Sequence, residues 1–303
     1  MALFRPTFQA LVLTALLGYS ATSAWAESLR YCDAQVEIDA ATQDRLIQVA
    51  GIVKTELEQS GQRVALVSRS GLALARFGER YSHAGVSLKA SLNAPWSVRQ
   101  LYYACDEQRP RIFDQGMSGF VLGVHDPSEG YVSIVLLPDD AANTLERAAL
   151  DDSHALQMLG NTYSANAFPF SQRYQNCNQW LAELLASAWN PQPQRDDRRG
   201  QAQQWLLNQG YTPTLINVGW RPLMWLADLV HWLHSDDHPS EDLAAAQFRV
   251  SMPAAIESFV HTRMPDAKRI ELCYTPHQLV VRRGWQPIAE GCVATAGDDV
   301  IGL

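Results

Sequence analysis

Tyr174-Gln175-Asn176-Cys177-Asn178-Gln179-Trp180 is the stretch from which the rest of the chain is read. Asn176 is a favourable N-cap residue. Gln179, three positions on, completes the Asn-x-x-Gln form of a capping box, so a helix is expected to open at Cys177. Trp180, Leu181, Leu184 and Leu185 recur at helical spacing and predict a buried face on a helix that runs to about Trp189. A thiol at the first helical position feels the positive end of the helix dipole, which favours the thiolate. The unpaired backbone N–H groups around it can also hold an oxyanion. What surrounds this helix decides the fold class. Short alternating runs dominate upstream and helical patterns dominate around and after it, which predicts an α+β fold, an antiparallel sheet packed on helices.

The runs can be placed individually. Ala40 to Gln59 reads as an amphipathic helix with Leu46, Ile47, Val49, Ala50, Val53 and Leu57 near helical spacing, stopped by Gly61. Val64 to Ser68 reads as a strand, with Leu72 to Arg76 as a partner through Ser70-Gly71. Tyr81 to Leu88 and Trp96 to Ala104 are further strands. In the latter, Val98, Gln100 and Tyr102 share one face, while Arg99, Leu101 and Tyr103 share the other. Phe120 to Val124 and Tyr131 to Leu137 complete the expected sheet, separated by the turn Asp126-Pro127-Ser128-Glu129-Gly130. Helices are expected over Asp139 to Leu150, Ser153 to Leu159, Gln201 to Asn208, Arg221 to His234 and Pro253 to Arg263. Pro191 to Arg199 reads as a charged linker. The tail, Arg269 to Thr295, returns to strand, with a hairpin formed by Leu279 to Arg282 and a turn at Gly284-Trp285.

The chain has 303 residues, and the first 26 read as a signal peptide. Arg5 supplies the positive start, Leu11 to Leu17 a short apolar core, and Ala24-Trp25-Ala26 a small-x-small cleavage site. The apolar run is too short to span a bilayer. A soluble periplasmic or secreted protein is therefore expected, one domain over residues 27–303. Losing Arg5 moves the net charge from −8 to −9. An acidic chain without a basic run is a poor ligand for nucleic acid, whose binding rests on neutralising phosphates. Five cysteines, Cys32, Cys105, Cys177, Cys273 and Cys292, leave at least one unpaired in an oxidising compartment. Four can pair in three ways. Cys32–Cys105 with Cys273–Cys292 is the preferred set, and it leaves Cys177 as the working thiol.

A nucleophilic cysteine needs a base that afterwards protonates the leaving group. His83, in Tyr81-Ser82-His83-Ala84-Gly85-Val86, is the candidate, and its small neighbours let another backbone or a helix end approach closely. A strand of the form Ser-His-small-Gly-aliphatic, followed by a cysteine opening a later helix, resembles the circularly permuted papain-like cysteine hydrolases. That superfamily includes permuted relatives of NlpC-type cell-wall peptidases and of lecithin:retinol acyltransferase. In its permuted branch the histidine precedes the cysteine, as here. The chain also resembles a bacterial exported family known as a domain of unknown function.

The resemblance implies Cys177 as nucleophile, His83 as base and, on the strand after it, a polar residue that orients the imidazole. Gln100 fits that place, with an amide oxygen to accept the Nδ1–H bond. Tyr174 is a lesser candidate to reach the oxyanion with its hydroxyl. The chain departs from the pattern in lacking Asp-Cys-Ser at the nucleophile and in carrying two extra helices between His83 and Cys177, which leaves the substrate class open. The implied function is a thiol-dependent hydrolase or acyltransferase acting on cell-wall peptide or an acylated small molecule, with no cofactor. The alternative is a non-catalytic envelope binding or assembly protein with an apolar groove lined by Trp96, Trp220 and Trp225. A polar cluster, His231, His234, Asp236, Asp237 and His238, has metal-ligand residue types but no recognisable ligand spacing, so no metal is expected. Gly116-Met117-Ser118-Gly119 lacks the Gly-x-Ser-x-Gly form of a nucleophile elbow.

Overall fold

Val64 to Arg69 is buried at every position, as a central strand covered on both faces must be. In the computed structural model, which describes residues 38–190, 197–219, 224 and 230–303, it is strand β1 of an eight-stranded sheet. In chain order the elements are α1 (Ala40–Gln59), β1 (Val64–Arg69), β2 (His83–Leu88), β3 (Ser97–Ala104), β4 (Arg109–Gln115), α2 (Met117–Leu122) and β5 (Gly130–Leu136). Then come α3 (Asp139–Leu150), α4 (Asp152–Gln157), α5 (Cys177–Trp189), α6 (Arg198–Asn208), β6 (Thr214–Asn217), α7 (Ser240–Ala244) and β7 (Gln247–Val250). The chain closes with α8 (Pro253–Arg263), β8 (Lys268–Tyr274), β9 (Gln278–Arg283) and β10 (Asp299–Gly302). The described residues lie in one unit, Tyr31–Leu303.

The sheet order is β10-β9-β8-β5-β1-β2-β3-β4, with every neighbouring pair antiparallel. Alternation sends Ala65, Val67, Val98, Val132 and Ile134 to one face, where α1 and α2 cover them. Val64, Leu66, Ala84, Val86, Leu88 and Leu101 go to the other, under α3, α5, α6 and α8. The result is three layers with a core on each side of the sheet. The α+β expectation, the antiparallel sheet and a C-terminal hairpin all hold. Helix α1 has the expected limits, and Leu46, Val49, Ala50, Val53 and Leu57 are wholly buried on it, whereas Ile47, expected with them, is exposed because it falls one position off the buried stripe. No helix among the described residues is long and apolar enough to cross a membrane.

Several local expectations fail. Leu72 to Arg76 is not the partner of β1; β2 and β5 flank it instead, and the segment after Gly71 ends in a short 3-10 turn, Ala75–Phe77. Phe120 to Val124 is not a strand. Met117, Phe120 and Val121 are spaced to bury one side of helix α2, which begins after Gly116. Strand β4 was not foreseen: its polar sequence, Arg-Pro-Arg-Ile-Phe-Asp-Gln, carries little alternation, and pairing with β3 defines it. The hairpin turn lies at Thr275–His277, between β8 and β9, rather than at Gly284-Trp285. Arg198 and Arg199 open α6 rather than ending a linker. The expected signal segment, Cys32 and most of the helix expected over 221–234 lie outside the described residues; of its end, His231 and Trp232 form a turn and Leu233 and His234 are irregular.

Cys273 and Cys292 are joined, as expected, across 19 residues. Cys105 is disulfide-bonded too. Its expected partner, Cys32, is outside the described residues.

Candidate active site

Asn176 caps α5 as its sequence demands: its side chain accepts from Gln179 N at 2.6 Å. The reciprocal half of the capping box is missing. Gln179 Nε2 instead donates to the buried Glu183 carboxylate at 3.1 Å. Glu183 has no exposed surface and also accepts from Gln175, Arg199 and Gln203, whose side chains tie α5 to α6 and to the preceding loop. A buried carboxylate needs such donors, and this one drew Gln179 away from the cap. Cys177 is the first residue of α5, 8% exposed and present as a thiol.

His83 is the first residue of β2 and is 6% exposed. It shares the α2 face with its cross-strand neighbour Arg69 and with Gln100 and Tyr102 of β3. Its Nε2 donates to Gln100 Oε1 at 2.9 Å. Gln100 Nε2 in turn donates to Gln115 Oε1 at 2.7 Å, which fixes the direction of the amide. Gln100 therefore contacts His83 as expected but through Nε2, not Nδ1. The neutral ring then carries its lone pair on Nδ1. Tyr102 stacks on the imidazole with ring centroids 4.4 Å apart.

Arg69 was not anticipated. It is 1% exposed, and its donors go to Ser70 O at 3.1 Å and to the Tyr102 hydroxyl at 2.8 Å, both neutral. Gly123 makes room for it: a Cβ there would lie 2.4 Å from the guanidinium. Burial first, and the Arg69 charge second, pull the His83 pKa from 6.5 down to about 3. His83 is thus neutral at physiological pH.

The two starts, of β2 and of α5, are stitched together by Asn178, whose Nδ2 donates to Ser82 O at 3.1 Å. Cys177 and His83 line one cavity of about 320 Å³, with Ser82, Tyr102, His125, Asn178 and Trp232 among its other walls. The amide oxygen of Asn178 is buried there without a donor among the described residues. Asn178 and His125 were missed by sequence reading. Asn178 was visible only as the neighbour of Cys177, and His125 sits in a loop with no pattern of its own.

The other candidates go elsewhere. The Tyr174 ring stacks on His234 at 4.3 Å and its hydroxyl bonds Asp236, so it is spent away from the thiol. Trp96 is fully buried, with Nε1 donating to Glu58 at 2.6 Å, and lines no groove; Trp220 and Trp225 lie outside the described residues. In the polar cluster after residue 230, His238 bonds Asn166 O at 2.7 Å, Asp237 accepts from Phe168 N at 2.9 Å, and Asp236 pairs with Arg173. These side chains hold the loop before α5 in place.

No curated protein and no solved structure matches this chain. A family model does: the one described as "Uncharacterized protein conserved in bacteria (DUF2145)" matches residues 56–260. The matched stretch holds His83, Gln100 and Cys177 and stops before the disulfide-tied strands β8 to β10. It covers more than half of the chain, which therefore belongs to the DUF2145 family of conserved bacterial proteins.

Proposed function

We propose that this protein is an exported thiol-dependent hydrolase or acyltransferase of the permuted papain-like type. Cys177 Sγ attacks an amide or ester carbonyl as its proton passes to His83 Nδ1. The imidazolium returns that proton to the leaving amine or alcohol, and the neutral ring then activates water, or an acceptor alcohol, against the thioester. Gln100 holds the ring through Nε2–H. Backbone N–H groups at the start of α5 take the oxyanion. One observation carries the reading: a helix-opening thiol and a histidine already oriented by an amide share one cavity. Cell-wall peptide is the target that export favours, followed by acylated small molecules. Disulfide-bonded cysteines suit an oxidising compartment.

A second reading, a binding protein that keeps the fold without turnover, has one observation in its favour. His83 shares a sheet face with α2 while α5 packs on the opposite face, and burial makes its ring a weak base. Alkylation of Cys177 by iodoacetamide across pH, in wild type, His83→Ala and Gln100→Ala, separates the two. The enzyme predicts alkylation of the folded protein that sets in below the ordinary thiol value of about 8.5. It also predicts that His83→Ala slows alkylation near neutral pH by about tenfold or more, with Gln100→Ala between. Indifference to His83→Ala, or reaction only after unfolding, removes the enzyme and leaves the binding protein.

A further inference from the structure

A second cavity, of about 630 Å³, adjoins the first, and Leu72, Leu74 and His125 line both. Four carboxyl groups stand around it: Glu79, Asp126, Glu129 and Glu290. Its one guanidinium among the described residues, Arg80, is engaged by Glu271 at 2.9 Å and lies 4.1 Å from the centre of the Tyr131 ring. The wall is therefore electronegative. It is also held in shape: Gly291 N donates to Glu129 Oε1 at 3.2 Å, and the adjacent Cys292 is tied to Cys273.

Glu79 is the telling residue. It is 8% exposed, Thr214 donates to it, and its Oε2 is buried with no donor among the described residues. Burial raises its pKa, against the Thr214 hydrogen bond. A buried acceptor without a partner is costly, and a cation beside it restores the ionised form. Asp126, by contrast, is exposed and held below its usual range by the Ser128 hydroxyl, so it stays charged.

A divalent metal is a poor occupant. It needs several oxygen ligands converging on one point. Among the described residues the group of metal-ligand types that converges is Glu129 with Cys273 and Cys292, and those two sulfurs are bonded to each other. Carboxyls dispersed around a roomy wall suit one charged head on a flexible chain. Leu72 and Leu74, at the junction of the two cavities, suit its methylene stem.

We propose that this cavity is a subsite for a cationic group, a primary ammonium or a guanidinium, carried by the molecule whose carbonyl meets Cys177. Its link to a reacting carbonyl rests on the thiol-hydrolase reading; recognition of the cation does not.

The test follows backbone amide NMR shifts of the full-length protein during titration with Nα-acetyl-lysine amide, against Nα-acetyl-norleucine amide as the uncharged match. The lysine probe is expected to shift Glu79, Asp126, Glu129 and Gly291 saturably, and to bind about tenfold more tightly than norleucine. Glu79→Gln and, independently, the exposed pair Asp126→Asn with Glu290→Gln should each erase most of that preference. The exposed pair keeps the test decisive if Glu79→Gln does not fold. Equal binding of the two probes, no saturable shift from the lysine probe, or calcium occupying the same amides more tightly overturns the subsite. Cys177→Ala should bind the lysine probe as wild type does. An inert thiol with preserved lysine preference would remove the hydrolase and keep the subsite; a reactive thiol without the preference would do the reverse.

Discussion

His83 shows how much one buried side chain decides. An imidazole at 6% exposure, with a guanidinium on the neighbouring strand, is held neutral down to about pH 3 in the folded protein, while in the unfolded chain it titrates near 6.5. Between those values the unfolded state binds the extra proton. Stability is therefore fully present above about 6.5 and falls as pH drops toward 3, by on the order of a few kcal/mol. Urea unfolding from pH 4 to 7 should show this slope, and His83→Gln should flatten it; an unchanged slope would mean other groups carry the acid sensitivity. Arg69 supplies the second part of the shift. In Arg69→Met the His83 ring, followed by its own NMR signals, should titrate at higher pH than in wild type. A titration that does not move would remove Arg69 from the electrostatics of the site.

The elements succeed or fail on close approach. Gly85 sits in β2 where β3 comes nearest: a Cβ there would lie 2.6 Å from Val98 Cγ1, 2.8 Å from Arg99 O and 3.1 Å from Gln100 Cβ. The glycine two positions after His83 therefore makes room for β3, for its backbone at Arg99 and the Val98 side chain. Gly85→Ala should destabilise the fold by about 1–3 kcal/mol and displace Gln100 from the imidazole. Denaturant midpoints test the first effect, and the His83–Gln100 proton signal tests the second; a variant of wild-type stability would show that β3 can move aside. Helix α5 hangs on Glu183 as much as on its cap. Glu183→Ala strands Arg199, itself 8% exposed, without its carboxylate, at a cost of about 3–5 kcal/mol. If unfolding experiments found a loss below about 1 kcal/mol, water rather than Glu183 would be meeting the Arg199 charge.

At the scale of the molecule, the sheet is sealed on both faces and blunted at both edges. Edge strand β4 carries Pro110 between Arg109 and Arg111, and edge strand β10 is four residues long. Cys273–Cys292 closes a short loop that brings Glu290 and Gly291 to the wall of the acidic cavity. Replacing both cysteines by serine should cost about 2–4 kcal/mol. It should also loosen the acidic cavity more than the Cys177 cavity. Calorimetry would measure the first effect. For the second, the double variant should lose lysine-probe binding while Cys177 alkylation stays at the wild-type rate, and a parallel loss of both would contradict the division into two sites.

By itself the sequence determined what is local. Periodicity set the limits of α1, Asn176 placed the start of α5 on Cys177, and alternation put Gln100 and Tyr102 on one face of β3. A cap or a helical stripe is made by residues within a few positions of each other, so its signal survives in a linear reading. Tertiary structure decided what depends on partners far along the chain. Strand β4 exists because β3 offers it a ladder, and residues 117–122 became a helix because α1 and the sheet left an apolar seat for Met117, Phe120 and Val121. Gln179 left its expected cap for Glu183, and Gln100 met Nε2 rather than Nδ1, because a buried polar group takes whichever partner the packing delivers. The four carboxyls of the second cavity come from positions 79 to 290, a distance no sequence motif spans.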